Sequence, residues 1–140
     1  MYTLNSIVFD EFFNYLDATV QLETQMGNGL LGLGDRADDT VFLRDGVYSM
    51  YNRDKAIQKT DPTLLGQNSF STFPFYMGML NDSSWLGVYH TNLGAQDWYL
   101  SHNKTTGEAR VETYAQGSYP LRGGIYLIFG DSPDHVSSVL

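Results

Sequence analysis

Short stretches of alternating apolar and polar residues dominate the chain, punctuated by clusters of Gly, Asn, Asp and Ser. Thr19-Val20-Gln21-Leu22-Glu23-Thr24 alternates strictly, as a strand with one buried face does. Residues 46–51, 73–79, 86–91, 109–115 and 124–129 are rich in aromatic and β-branched side chains and read as further strands. Between them lie Met26-Gly27-Asn28-Gly29, Asn81-Asp82-Ser83-Ser84 and residues 103–107, whose small polar residues favour turns. Many short strands with regular turns predict an all-β fold, an antiparallel β-sandwich. One helix start is visible, at the end of the chain. Ser132 is placed to cap it, Pro133 sits at the first helical position and Asp134 lies in the first turn. The pattern carries that short C-terminal helix through His135 and Val136 to Val139 and Leu140.

Composition narrows the class. At 140 residues the chain has the length of a single domain, residues 1–140, and 42% hydrophobic residues supply a core. A net charge of −8 with eight scattered Lys and Arg excludes nucleic acid and anionic membrane surfaces, which need clustered cations. No apolar run reaches the roughly 18 residues of a membrane span, and no signal peptide opens the chain. If Met1 is the true start, the expected location is intracellular. Zero cysteines exclude disulfides, zinc–thiolate sites and thiol catalysis. His90, His102 and His135 are not spaced as a metal pair, so no metal or cofactor is expected. Asp38, Asp39 and Asp45 read as solvated turn carboxylates. Two Asn-x-Ser/Thr sequons, at Asn81 and Asn103, fall in turn-like segments.

Several segments carry chemistry or special backbone. In Leu31-Gly32-Leu33-Gly34-Asp35-Arg36, glycines alternating with leucines predict a strand that passes close to another backbone or ends in a turn. Asn52-Arg53-Asp54 follows a predicted strand and reads, on residue type alone, as a polar turn. The aromatic run Phe70, Phe73, Phe75 and Tyr76 reads as packing, and Trp85 and Trp98 as buried before sugar-stacking.

Five motifs occur in order: Leu31 to Arg36; Gly46 to Asp54; Pro74-Phe75-Tyr76-Met77-Gly78; Gly87-Val88-Tyr89 before Asn92; and Gly123-Gly124-Ile125-Tyr126 leading to Gly130-Asp131-Ser132-Pro133. Together they resemble the galactose-mutarotase-like β-sandwich that precedes the catalytic barrel in glycoside hydrolase family 31, the α-glucosidases. The resemblance implies retaining hydrolysis by two barrel carboxylates. The nucleophile motif Trp-x-Asp-Met-Asn-Glu is absent, and 140 residues cannot hold a barrel of at least about 200 residues as well. The chain is therefore expected to be non-catalytic on its own, with no catalytic residue, and an incomplete sandwich whose open edge invites association.

The resemblance also gives Asp54, with Asn52 and Arg53 beside it, a substrate-binding role at the rim of the barrel's sugar pocket. It implies partnership with a catalytic barrel and with an α-glucoside, and a secretory or lysosomal location for the whole enzyme. A stand-alone structural or interaction subunit is the alternative expectation, and a carbohydrate-binding module the weaker one.

Overall fold

The computed structural model describes residues 3–10, 15–23, 29–36, 38, 40–51, 71–80, 83–91, 95–103, 105, 108–116 and 125–140. Within them the chain forms β1 (Thr3–Asp10), β2 (Tyr15–Glu23), β3 (Leu31–Gly32), β4 (Gly46–Met50) and β5 (Phe75–Met79). It continues as β6 (Trp85–His90), β7 (Ala95–Asn103), β8 (Glu108–Gln116), β9 (Ile125–Gly130) and α1 (Pro133–Ser138). Two antiparallel sheets result, one in the order β1-β2-β8-β7-β4 and the other in the order β3-β5-β6-β9. The all-β expectation holds, with boundaries within four residues of those the pattern predicts.

Side-chain alternation fixes which face of each sheet is buried. Tyr48 and Met50 of β4, Trp98 and Leu100 of β7, and Ala109 and Val111 of β8 point inward from the first sheet. Tyr76 of β5 and Leu86 and Val88 of β6 meet them from the second. The Tyr76 ring stands edge-on to Trp98 at 5.5 Å, and His90 of β6 lies 4.5 Å from the same indole. These contacts join the two layers, and their burial is the main force holding one sheet on the other.

β7 is missing from the elements the pattern predicts, although it is a nine-residue strand of the first sheet, paired on both sides by β8 and β4. Its inward positions are Gln96, Trp98, Leu100 and His102, so polar residues interrupt the apolar alternation. Gln96 is buried because its Oε1 accepts a bond from Trp98 Nε1 at 3.2 Å. That bond satisfies two buried polar groups at once.

The outer face of the second sheet carries the helix. Ser132 caps α1 by accepting from His135 N at 3.1 Å, with Pro133 opening the first turn, as the sequence predicts. The helix stops at Ser138 instead of running to Leu140. Its one buried residue, Val136, rests on Gly87 and Gly130. A Cβ at Gly87 would lie 2.5 Å from Val136 Cγ1 and 2.8 Å from Phe75 Cε2, neither of which has a flexible stem to swing aside. Gly87→Ala is therefore expected to push α1 off the sheet and cost about 1–3 kcal/mol, the range for overpacking. Thermal unfolding checks it, and an unchanged Tm would show that α1 is not seated as described.

Candidate functional site

The segment Leu31–Arg36 lies beside the strand that begins at Phe75. Gly32 has φ +124°, and a Cβ there would lie 2.4 Å from Phe75 O and 2.8 Å from Tyr76 Cα. The sequence expectation of a close backbone approach is met. Leu33 N donates to Phe75 O at 2.8 Å, and Leu33 itself holds a left-handed φ of +62° while fully buried. Strain of that kind persists only where surrounding contacts over-determine the backbone. Gly34 follows at φ +79°, and Asp35 N donates to Ser71 O at 3.2 Å.

Arg36 closes this turn. Its Nη2 donates to Gly32 O at 2.8 Å, and its guanidinium lies over the Tyr48 ring at 4.7 Å. The Tyr48 hydroxyl is fixed in turn, donating to Arg44 O and accepting from Arg44 N, each at 2.7 Å. Arg36 Nε and Nη1 are buried and find no hydrogen-bond partner among the described residues. Burial pushes the guanidinium below the usual arginine range, with Tyr48 and Asp38 pulling the other way. Arginine remains charged under such a shift. A cleft of about 480 Å³ opens here, lined by Leu31, Gly32, Gly34, Arg36, Asp38, Thr40 and Val41.

Asp38 differs from the sequence expectation, whereas Asp45 is an exposed bend residue as expected. The Asp38 side chain is only 10% exposed and pairs with Arg44 at 3.7 Å, so it is not a solvated turn carboxylate. Asp45 Oδ1 lies 2.6 Å from His102 Nδ1, a contact between residues 57 positions apart. No local signal in the sequence announces the Asp45–His102 contact, because it depends on β7 being laid beside β4. Asp39 lies outside the described residues.

The proposed substrate-binding residues Asn52, Arg53 and Asp54 lie outside the described residues, as does Phe70. The structure does fix the anchor points on either side of them. Met50 is buried at the end of β4, Tyr51 is exposed, and the chain is again described from Ser71, whose carbonyl holds Asp35. The described residues on either side of Asp54 are thus the end of β4 and, at Ser71, a position bonded to the Gly32–Arg36 turn. Phe75 and Tyr76 are buried, as the packing expectation has it, whereas Phe73 is exposed against Tyr89 at 5.6 Å. Trp98 is fully buried and has no face to offer a sugar. Among the described residues no group of three or more His, Cys, Asp or Glu is placed to hold a metal ion, and no helix is long and apolar enough to cross a membrane.

No protein-family model and no curated protein matches the sequence. In fold, the chain is similar to a carbohydrate-processing enzyme. That structure is the cycloalternan-degrading enzyme from Trueperella pyogenes, solved in complex with isomaltose; the TM-score is 0.64 at 12% identity. The match covers 89% of this chain and 16% of that chain. The present chain thus spans a small part of that enzyme's length, and at this identity the likeness is one of fold.

Proposed function

We propose that the chain is the β-sandwich module of a family 31 α-glucosidase-like enzyme, non-catalytic by itself, which buttresses a catalytic barrel and lends the Asp54 segment to its sugar pocket. The observation that carries the reading is the superposition of nearly the whole chain on a minor part of a much longer cycloalternan-degrading enzyme. The five motifs in family order supply the finer assignment to family 31. One anchor point adds to it: Ser71, where the chain is described again after Asp54, is bonded to a strained, glycine-rich turn, a scaffold suited to holding a functional loop.

In this reading Asp54 accepts bonds from sugar hydroxyls, a task that suits a carboxylate because charge-assisted bonds are the stronger ones. The barrel supplies the nucleophile and the general acid/base. A stand-alone interaction subunit is the second reading. The exposed Tyr126, Leu127 and Phe129 on β9, at 58%, 45% and 53%, favour a protein partner in either case.

Two measurements separate the readings. The isolated chain is expected to leave an aryl α-glucoside intact, and the native polypeptide that carries it to hydrolyse it. In that polypeptide Asp54→Ala removes one charge-assisted hydrogen bond, worth roughly 1.5–3 kcal/mol. The expected loss in kcat/KM is about tenfold to a hundredfold, with Tm unchanged. Unchanged kinetics, or activity lost only through unfolding, would reduce Asn52-Arg53-Asp54 to a structural turn.

A further inference from the structure

We propose that Asn103 is an N-glycosylation site, and that the end of the first sheet which bears it faces solvent in the assembled protein. The sequence Asn103-Lys104-Thr105 supplies the acceptor carboxamide and the hydroxyl two residues on that the transfer requires. The fold supplies the rest. Asn103 is the last residue of β7, paired with Glu108 across the hairpin to β8, and the chain reverses between them. Along β7 the inward positions are Gln96, Trp98 and Leu100, and the alternate positions Tyr99, Ser101 and Asn103 are exposed. Alternation therefore puts the Asn103 side chain on the outer face of the sheet, away from the second sheet.

Thr105 is exposed as well, and its N–H donates to Asn103 Oδ1 at 3.0 Å. This bond holds the carboxamide over the turn beside the threonine, so both parts of the sequon are displayed at the hairpin tip. A glycan linked there displaces no core residue, since the nearest buried side chains on β7 and β8, Leu100 and Ala109, point the other way.

The transfer joins Asn103 Nδ2 to the anomeric carbon of an oligosaccharide carried on a lipid pyrophosphate. The bond from that carbon to the pyrophosphate oxygen breaks, and the lipid pyrophosphate leaves with the electron pair. One Nδ2 proton is released, and nothing is oxidised or reduced. The consequence is geometric. A bulky, hydrated group at this hairpin keeps protein partners off that end of the first sheet.

The proposal rests on the sequon and the hairpin and not on the role of Asp54, so occupancy at Asn103 and the kinetics of Asp54→Ala fail independently. The test begins with the native polypeptide carrying this chain, purified from the cells that make it. It is treated with a glycan-releasing amidase, which converts a modified asparagine to aspartate, and mapped by peptide mass spectrometry. Conversion at Asn103, with a gain in gel mobility, is the expected result. In the re-expressed polypeptide, Asn103→Gln and Thr105→Ala each abolish the shift contributed by this site, and Thr105→Ser keeps it. An unconverted Asn103 in the native material overturns the proposal, as does conversion that survives Thr105→Ala. Because the first measurement uses no variant, a variant that fails to fold leaves the proposal decidable.

Discussion

Replacing Trp98 with alanine is expected to destabilise the domain by about 3–5 kcal/mol, the range for truncating a large buried aromatic. Trp98 is fully buried at the point where the two sheets meet. It pairs across the strands with Tyr48 on one side and Thr113 on the other, and it touches Tyr76 and His90 from the opposite layer. Its loss therefore leaves a cavity bordered by all of these neighbours. It also removes the hydrogen bond that Nε1 donates to Gln96 Oε1, a contribution of about 0.5–1.5 kcal/mol.

Against a total stability of about 5–15 kcal/mol, the variant would sit near its unfolding threshold. Trp98→Phe weights the two contributions differently, since it loses the donor but keeps most of the packing. Urea unfolding followed by circular dichroism checks both variants, and tryptophan fluorescence would then report Trp85 alone, the chain having two tryptophans. A loss below about 1 kcal/mol for Trp98→Ala would mean that the sheets are not joined through this residue.

The sequence made the architecture legible where period and propensity act together. The strands around Gly46, Phe75, Leu86 and Ile125 combine β-branched or aromatic residues with turn clusters, and each lies close to where the pattern puts it. The Ser132-Pro133 start is likewise local chemistry, and it survives in the fold unchanged. β7 was illegible because Gln96 and His102 occupy inward positions, and what makes them tolerable is tertiary: a bond to Trp98 for one, a carboxylate from Asp45 for the other. Arg36 tells the same story. Its guanidinium is placed by Tyr48, twelve residues away on the other sheet, which no spacing rule encodes. The sandwich could be read from strands one at a time; the pairings that tune its charged groups could not.

His90 gives the fold a sensitivity to acid. Its ring is 1% exposed, and neither nitrogen finds a partner among the described residues. Burial lowers its pKa from 6.5 to about 4, so the folded state holds it neutral. The unfolded chain binds a proton near the ordinary histidine value, and the folded chain does so only below it. The stability that depends on a neutral His90 is therefore fully present above pH 6.5 and is lost as the pH falls through the window down to about 4.

The shift corresponds to about 3 kcal/mol lost across that window, at about 1.4 kcal/mol for each pH unit where the two states differ by one proton. Carboxylates in general lose their charge at the lower end of the same range, and this chain has sixteen Asp and Glu, so the wild-type curve alone does not isolate the histidine. His90→Leu does, because it fills a similar space and cannot charge. The stability of the variant relative to the wild type should be constant above pH 7 and rise steadily below it, as the pH approaches 4. Because the imidazole lies 4.5 Å from the Trp98 indole, its protonation in the folded state, which sets in near pH 4, should also quench that tryptophan. Two curves that stay parallel from pH 7 to pH 4 would mean that His90 reaches water or a hidden acceptor in the folded state, and that the acid response comes from the carboxylates alone.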